Sequence, residues 1–227
     1  MLWVLCLVFP CLWPDSVQAK KEKEVKVLFE TTAGNFEVTL YNETPLHRDN
    51  FVKLVGEGFY DSLLVHRVIY GFVVQMGDPD SRHAKSGELL GLGKVGHTVP
   101  AEIRFPRLFH RRGVLSMARE PDEVNPERAS SGSQFFIVTG RPYMPQELKP
   151  IEAQVAAMTD GEARYTDRVR TAYENYGGTP HLDGQYTVFG EVSEGMRVIT
   201  EIQMKETDQN DRPVEDIRII RASLVME

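Results

Sequence analysis

The sequence predicts a mainly β protein: a closed antiparallel barrel whose open ends are covered by helices, with an inserted helical segment at about residues 144–178. Short apolar runs recur along the chain and are separated by Gly, Pro, Asp or Ser, a pattern typical of strands joined by turns. One early and one late segment have helical features, and a longer stretch has a helical repeat. The 227 residues, 41% of them hydrophobic, are enough for one sizeable core.

The first elements are predicted to be a hairpin followed by a helix. Residues 25–31 and 35–41 alternate apolar and polar side chains around Ala33-Gly34, which is typical of a β-hairpin. Pro45 then stands near the first turn of a helix, and an apolar face follows it until Gly56.

The remaining strands are predicted from short apolar runs. A second helix is expected from Gly195 to Gln203, and the last run alternates well enough to close the barrel. The strand-like runs are residues 64–69, 72–75, 99–103, 114–118, 135–139, 186–192 and 217–225.

The segment from Gln146 to Tyr176 interrupts this series of strands. Its apolar and aromatic residues recur at helical spacing, and Gly177-Gly178 follows as a typical helix end. Because Asp160-Gly161 divides the stretch, we predict a helix-turn-helix. We expect its tyrosines to pack against the barrel, with a partner-binding face as the alternative. The repeat comprises Tyr165, Val169, Ala172, Tyr173 and Tyr176.

Residues 1–19 differ in composition from the rest of the chain. They hold both cysteines, both tryptophans and a single charged residue, Asp15. The apolar run at residues 2–13 is too short to span a bilayer as a helix and is followed by a small-residue pattern ending at Ala19. This arrangement predicts a secretory signal peptide. A buried N-terminal helix is the alternative, which two prolines disfavour.

Removal of this segment changes the net charge from −7 to −6 and leaves no Cys or Trp. We predict export, most simply to a bacterial periplasm, although the endoplasmic reticulum uses the same signal logic. Lipid attachment at Cys11 is less favoured because Phe9-Pro10 is a poor match to a lipoprotein signal. The negative charge disfavours a nucleic-acid partner. We expect no stable membrane insertion and a monomer.

Several patterns disfavour other kinds of site. Residues 91–96 match G-x-G-x-x-G, but residues 97–100 (HTVP) cannot open the helix that a dinucleotide site needs. The six histidines show no metal-ligand spacing, and no serine lies in a G-x-S-x-G turn. We therefore predict no cofactor, no metal and no hydrolytic nucleophile.

Four segments together resemble the cyclophilin family of peptidyl-prolyl cis-trans isomerases. They are residues 66–78 (HRVIYGFVVQMGD), 113–118 (GVLSMA), 131–137 (SGSQFFI) and 182–190 (LDGQYTVFG). Their order matches the family, and the resemblance extends from about Val25 to Val225. It implies an eight-stranded closed barrel capped by two helices, here one domain over residues 20–227 interrupted by the helical insertion.

The resemblance also implies a set of site residues. Arg67 matches the family's active-site arginine and Gln75 its substrate-binding glutamine, so both are expected to be catalytic. His181 stands where Trp is common and Tyr186 where His is common, which predicts weak inhibition by cyclosporin-type macrocycles. The expected substrate-binding residues are Phe72, Val73, Ala118, Gln134, Phe136, His181, Leu182 and Tyr186.

These residue types suit isomerisation of X-Pro bonds in proline-containing polypeptide clients. No bond is broken, so a site needs only to bind the twisted amide better than the planar isomers. A charged guanidinium at Arg67 can donate to the substrate, and apolar side chains can form a cup for the proline ring. Two alternatives stay open: a proline-segment binding module or chaperone with little turnover, and a lipid-anchored scaffold.

Overall fold

An eight-stranded antiparallel sheet is the frame of residues 24–225, the part of the chain that the computed structural model describes. The predicted signal peptide at residues 1–19, with Cys11, lies outside the described residues. The strands are β1 Val25–Thr31, β2 Gly34–Leu40, β3 Val65–Ile69, β4 Val73–Met76, β5 Thr98–Val99, β6 Val114–Met117, β7 Ser130–Ser131, β8 Phe135–Val138, β9 Val188–Glu194 and β10 Ile219–Leu224.

The sheet curls into an open half-barrel, so the expectation of a closed barrel is wrong. Its order, β10-β1-β2-β9-β6-β8-β4-β3, leaves β3 and β10 at the two ends, and β5 pairs separately with β7. A bridge between Leu64 and Arg218 connects these ends. Backbone hydrogen bonds flank it, from the Ser62 N–H to the Ile219 carbonyl and from the Val65 N–H to the Ile217 carbonyl. Continued pairing would place β3 opposite residues 213–217. However, Pro213 has no N–H to donate and pairs with Thr207 within its own loop.

The main core lies on one face of this sheet. Phe29 on β1 is paired with Phe36 on β2, and their rings stack with centroids 4.9 Å apart. Both are at most 1% exposed. Because side chains alternate between faces along a strand, every second residue of the long strands enters this core. The predicted hairpin is therefore confirmed, with the expected face buried.

Two helices pack against the main core. The first, α1, spans Pro45–Gly56, and buries Phe51 among the aromatic rings. The last helix lies at Met196–Ile202 and buries Ile199 and Ile202. The early and late helices predicted from the sequence are thus confirmed. None of the helices within residues 24–225 has the length and hydropathy needed to span a bilayer.

A helical unit, residues 143–176, packs beside the sheet. It contains α2, Pro145–Met158, and α3, Asp167–Asn175, so with the last helix, α4, the described residues hold four α-helices. The Thr166 side chain caps α3 by accepting from the Val169 N–H. The helical unit shares a second apolar cluster with Phe109, in which Tyr165 and Tyr173 are buried, as predicted. The expectation is wrong for Tyr176, which is 66% exposed at the end of α3.

Candidate active site

A row of paired residues crosses the face of the sheet opposite the main core. Arg67 on β3 pairs with Gln75 on β4, Gln75 with Phe136 on β8, and Phe136 with Ser116 on β6. Directly paired residues point to the same face. On β4, Val74 precedes Gln75 and points to the opposite face, where it lies in the main core. The row therefore sets a guanidinium and an amide beside an aromatic ring.

A β-bulge sets the direction of Arg67. From Val65 to Arg67 the chain advances two residues on β3 while its partners advance only one on β4, so His66 is an extra residue. In regular pairing from Val65 onward, Arg67 would lie opposite Val74 and face the core. The bulge places it opposite Gln75 instead, and re-aiming a side chain is a common role of bulges beside active sites.

The Arg67 guanidinium is held but stays accessible. Its Nη1 donates to Gln75 Oε1 over 3.3 Å, and its Nε lies 3.6 Å from Asp211 Oδ2. The side chain is 39% exposed. An ion pair at this exposure contributes at most about 1 kcal/mol. The guanidinium can therefore turn its remaining N–H donors to a ligand.

Gln75 and Gln134 connect the arginine to the glycine-rich loop. Gln75 Nε2 donates to Gln134 Oε1 over 3.2 Å. Gln134 Nε2 donates to the carbonyl oxygens of Gly91 and Gly93, each at 3.0 Å. The G-x-G-x-x-G segment is thus a loop fastened to the site, and no helix follows it, which agrees with its rejection as a nucleotide site.

An apolar pocket cluster borders the polar row. Val73 and Phe136 are buried in it, and Phe72, Leu182 and Tyr186 pack against it while partly exposed. The predicted cup residues therefore lie together, and the alternation along β4 explains why Val73 shares a face with Gln75. Within residues 24–225, no group of three His, Cys, Asp or Glu side chains could hold a metal ion.

His181 and Tyr186 line the pocket cluster from one loop. The His181 ring stacks on Phe72 with centroids 5.4 Å apart and an interplanar angle of 26°. Burial lowers the pKa of His181 below 6.5, and repulsion from His110 adds to this effect. The Tyr186 ring meets Phe136 edge-on at 5.9 Å. The two departures from the family's usual residues are therefore aromatic contacts within the site.

Ala118 lies beside Gln134, and both of its backbone groups already form hydrogen bonds. Its N–H donates to the Gln134 carbonyl over 2.9 Å, and its carbonyl accepts from the Ser131 N–H over 2.7 Å. A carbonyl oxygen has two lone pairs, so only this oxygen retains capacity for a ligand.

Three residues near the site were missed by the sequence analysis. Arg119 lies with its guanidinium 4.6 Å from the Tyr186 ring centroid. Its position directly after the Ser-Met-Ala segment of the family resemblance was an available signal. Asp211 faces Arg67 from a distant loop, and His110 lies behind Phe136 with ring centroids 6.4 Å apart. Neither of these two contacts has a local sequence signal.

Comparison with known proteins gives matches over most of the chain. Residues 26–224 match the family model described as cyclophilin type peptidyl-prolyl cis-trans isomerase/CLD. A peptidyl-prolyl cis-trans isomerase-like 1 of Aspergillus fumigatus is 35% identical over 208 residues, covering 88% of this chain and 96% of that protein. The protein of the same name from Neurospora crassa is 34% identical over 208 residues, covering 88% and 94%.

Solved structures give the same fold. A cyclophilin type peptidyl-prolyl cis-trans isomerase of Cryptosporidium parvum superposes with a TM-score of 0.62 at 24% identity, covering 90% of this chain and 99% of that one. That protein was also solved in the presence of the dipeptide Ala-Pro. Since the family model spans nearly all described residues and the relatives exceed 30% identity over nearly their full length, the chain belongs to the cyclophilin-type peptidyl-prolyl cis-trans isomerases.

Proposed function

We propose that the enzyme accelerates rotation about X-Pro bonds without covalent chemistry, by binding the twisted amide more tightly than either planar isomer. The observation that supports this most is the pairing of Arg67 with Gln75, which presents an accessible guanidinium beside an apolar wall. Amide rotation faces a barrier of about 18–20 kcal/mol because resonance is lost. Preferential binding of the twisted state lowers this barrier with no acid, base or nucleophile.

In this proposal, Arg67 and Gln75 contact the reacting segment. The guanidinium donates to the substrate carbonyl and to the proline nitrogen, which becomes a better acceptor as conjugation is lost. Gln75 holds the adjacent substrate backbone and also orients Arg67 through their hydrogen bond. Lys would be a poor replacement at position 67, because an ammonium lacks the planar fork of donors.

The pocket cluster is proposed to bind the proline ring. Phe72, Phe136 and Leu182 offer apolar surface, and Val73 is buried in the same cluster. His181 and Tyr186 form one side of this cup, with Gln134 and Ala118 on the side of the glycine-rich loop. Burial of a proline ring against this apolar surface favours binding of the peptide.

A peptide exchange experiment tests the catalytic assignment. Two-dimensional NMR exchange would measure cis-trans interconversion of a proline-containing peptide with the wild-type protein, Arg67→Ala and Arg67→Lys. Arg197→Ala is the matched control, because Arg197 is an exposed arginine on α4 with 85% of its side chain accessible. We expect both Arg67 variants to lose most turnover while Arg197→Ala retains it.

Two outcomes would change the assignment. Wild-type turnover in folded Arg67→Ala would remove the central role of this residue. Peptide binding without accelerated exchange in the wild-type protein would favour the binding-module alternative, in which His181 and Tyr186 line a recognition pocket.

We propose that the clients are exported polypeptides and that the enzyme acts outside the cytoplasm, most simply in a bacterial periplasm. Support comes from the composition of residues 1–19. Fusing residues 1–24 to a reporter that is active only after export tests this, with the apolar run at residues 2–13 replaced by polar residues as the control. Mass analysis of the processed enzyme should give an N-terminus at Lys20. A retained N-terminus would contradict cleavage, and an acylated Cys11 would indicate the lipid-anchored scaffold.

A further inference from the structure

Asp183 is a fully buried carboxylate beside the pocket wall. Its Oδ1 accepts from the His110 backbone N–H over 2.9 Å and lies 2.9 Å from His110 Nδ1. Its Oδ2 accepts from the Tyr165 and Tyr173 hydroxyls over 2.8 Å and 2.7 Å. A buried carboxylate with no donors is costly, so these hydrogen bonds determine where Asp183 can lie.

The two tyrosine donors come from the helical unit, and they reach a loop that belongs to the pocket. Asp183 follows directly on His181, which stacks on Phe72, and Leu182, which packs against the pocket cluster. The Tyr165 hydroxyl also lies 2.6 Å from the Pro180 carbonyl oxygen. Because a hydroxyl has a single hydrogen, Tyr165 shares it between two acceptors, the Pro180 carbonyl and Asp183 Oδ2, which flank His181 in sequence.

Further contacts fasten the same loop to the helical unit. A Cβ added at Gly184 would lie 2.8 Å from the Thr159 methyl group, and the glycine has a positive φ of 72°. Arg128 donates to the carbonyl oxygens of Gly184 and Met158, over 2.9 Å and 3.0 Å. The end of α2 and the pocket loop thus pack without a gap.

His110 connects Asp183 to Ser116 on β6, at the other side of the pocket. Its Nε2 lies 3.1 Å from Ser116 Oγ, and Ser116 is the direct partner of Phe136 in the sheet. All three polar residues, His110, Ser116 and Asp183, are at most 1% exposed. Their burial excludes contact with substrate, so they can affect the reaction only through the residues that they hold.

We propose that the helical unit positions the pocket wall, and that Tyr165 and Tyr173 are positioning residues that act through Asp183 on His181 and Leu182. This inference rests on the proposed placement of His181 and Leu182 in the substrate pocket. Without the two hydroxyls, Asp183 Oδ2 is buried with no donor, so the loop is expected to move until this oxygen finds another donor. This movement shifts His181 relative to Phe72.

The test uses Tyr165→Phe, Tyr173→Phe and the double variant, which keep the rings and remove the donors. Tyr143→Phe is the matched control: its ring lies in the same cluster, 6.4 Å from the Tyr173 ring, and it is not one of the donors to Asp183. Three quantities are measured: the Kd for a proline-containing peptide, the exchange rate at saturating peptide, and the NMR resonances of the His181 ring, assigned with His181→Gln.

We expect the double variant to weaken peptide binding about tenfold and to shift the His181 ring resonances, because stacking on Phe72 changes. The rate at saturating peptide should change less, since Arg67 and Gln75 lie on β3 and β4, away from this loop. Tyr143→Phe should match the wild type in all three quantities.

A folded double variant with wild-type affinity and unchanged His181 resonances would overturn the inference. If the double variant does not fold, the single variants decide, because each leaves one tyrosine hydroxyl as a donor to Asp183 Oδ2. Unchanged His181 resonances in both single variants would equally overturn the inference. Failure of the proposed function is recognised separately, since a wild-type protein that neither binds nor isomerises the peptide refutes the pocket assignment while the His181 resonances still report on positioning.

Discussion

Arg67 and Gln75 face each other across β3 and β4, and Arg67 Nη1 donates to Gln75 Oε1 over 3.3 Å. The same glutamine donates to Gln134, which in turn donates to the glycine-rich loop. The Arg67 guanidinium, on an edge strand, is thereby linked through the Gln75 and Gln134 amides to the glycine-rich loop. This chain of hydrogen bonds explains how the flexible Arg67 side chain keeps a defined direction while its remaining donors face solvent.

Gln75→Leu is expected to reduce kcat/KM by about tenfold to a hundredfold, because a hydrogen bond to a charged group is worth about 1.5–3 kcal/mol. Leu has a similar volume, so the fold should be kept. Exchange measurements on a proline peptide would check the loss. Gln146→Leu, on an exposed position of α2, is the control and should retain wild-type activity; equal activity in both variants would contradict the role given to Gln75.

Gln134→Ala should loosen the glycine-rich loop. It removes the donors to the Gly91 and Gly93 carbonyls and the acceptor for Gln75. We expect faster amide hydrogen exchange across residues 87–96 and a lower kcat/KM, with unchanged protection in β1 and β2. Hydrogen-exchange mass spectrometry measures both regions in one sample. Unaltered exchange in the loop would show that other contacts hold it.

The sequence predicted those features that depend on local pattern. The alternation of residues 25–31 and 35–41 predicted the hairpin. The helical spacing of residues 165–176 predicted a helix that buries Tyr173, although α3 begins at Asp167 and Tyr165 lies before it. The four motifs identified residues that the sheet brings into one row and one pocket cluster. These features could be read because side-chain direction follows from the period of the backbone.

Other features depend on contacts between distant segments and could not be predicted. The bulge at His66 exists only relative to β4, and it decides which way Arg67 points. The barrel is open because pairing between the two sheet ends does not extend beyond the short contact around Leu64 and Arg218. Asp183 receives its tyrosine donors across a packing interface, and no spacing in the sequence reports such a contact.

His181→Trp is expected to strengthen binding of cyclosporin-type macrocycles, because the resemblance to the family places a tryptophan at this position on the border of that binding site. The larger ring adds apolar surface and an indole N–H donor beside Phe72. Calorimetric titration of wild type and variant would measure the change. Similar affinity in both would show that another departure from the family limits inhibition. Tyr143→Phe provides a control outside the pocket.

The rate of peptide isomerisation should be nearly constant from about pH 7 to pH 9. The proposed mechanism uses no titrating acid or base. Burial holds the pKa of His181 below 6.5, so the ring that stacks on Phe72 is neutral throughout this range. A series of exchange measurements at constant ionic strength checks the profile. A bell-shaped curve would indicate a proton-transferring group that the mechanism lacks.

Stability should fall in mild acid, and His66 should account for part of the fall. Its ring is 2% exposed, neither ring nitrogen has a hydrogen-bond partner among the described residues, and burial lowers its pKa to about 4, partly offset by Asp78. The unfolded chain binds a proton at His66 below about pH 6.5, whereas the folded chain does so only near pH 4. Protonation therefore favours the unfolded state within this window and has no effect above it.

His66→Leu removes the group whose protonation favours unfolding. Between about pH 6.5 and pH 4, the free energy of unfolding of the variant should therefore fall by about 3 kcal/mol less than that of the wild type. At neutral pH the variant should be at least as stable as the wild type, because it replaces two unpaired buried nitrogens. Urea unfolding at several pH values measures both quantities. His83→Leu is the control, because His83 lies in a short 3-10 helix and is exposed. Equal acid sensitivity of the His66 variant and the wild type would mean that the folded protein accepts a proton at His66 as readily as the unfolded chain does.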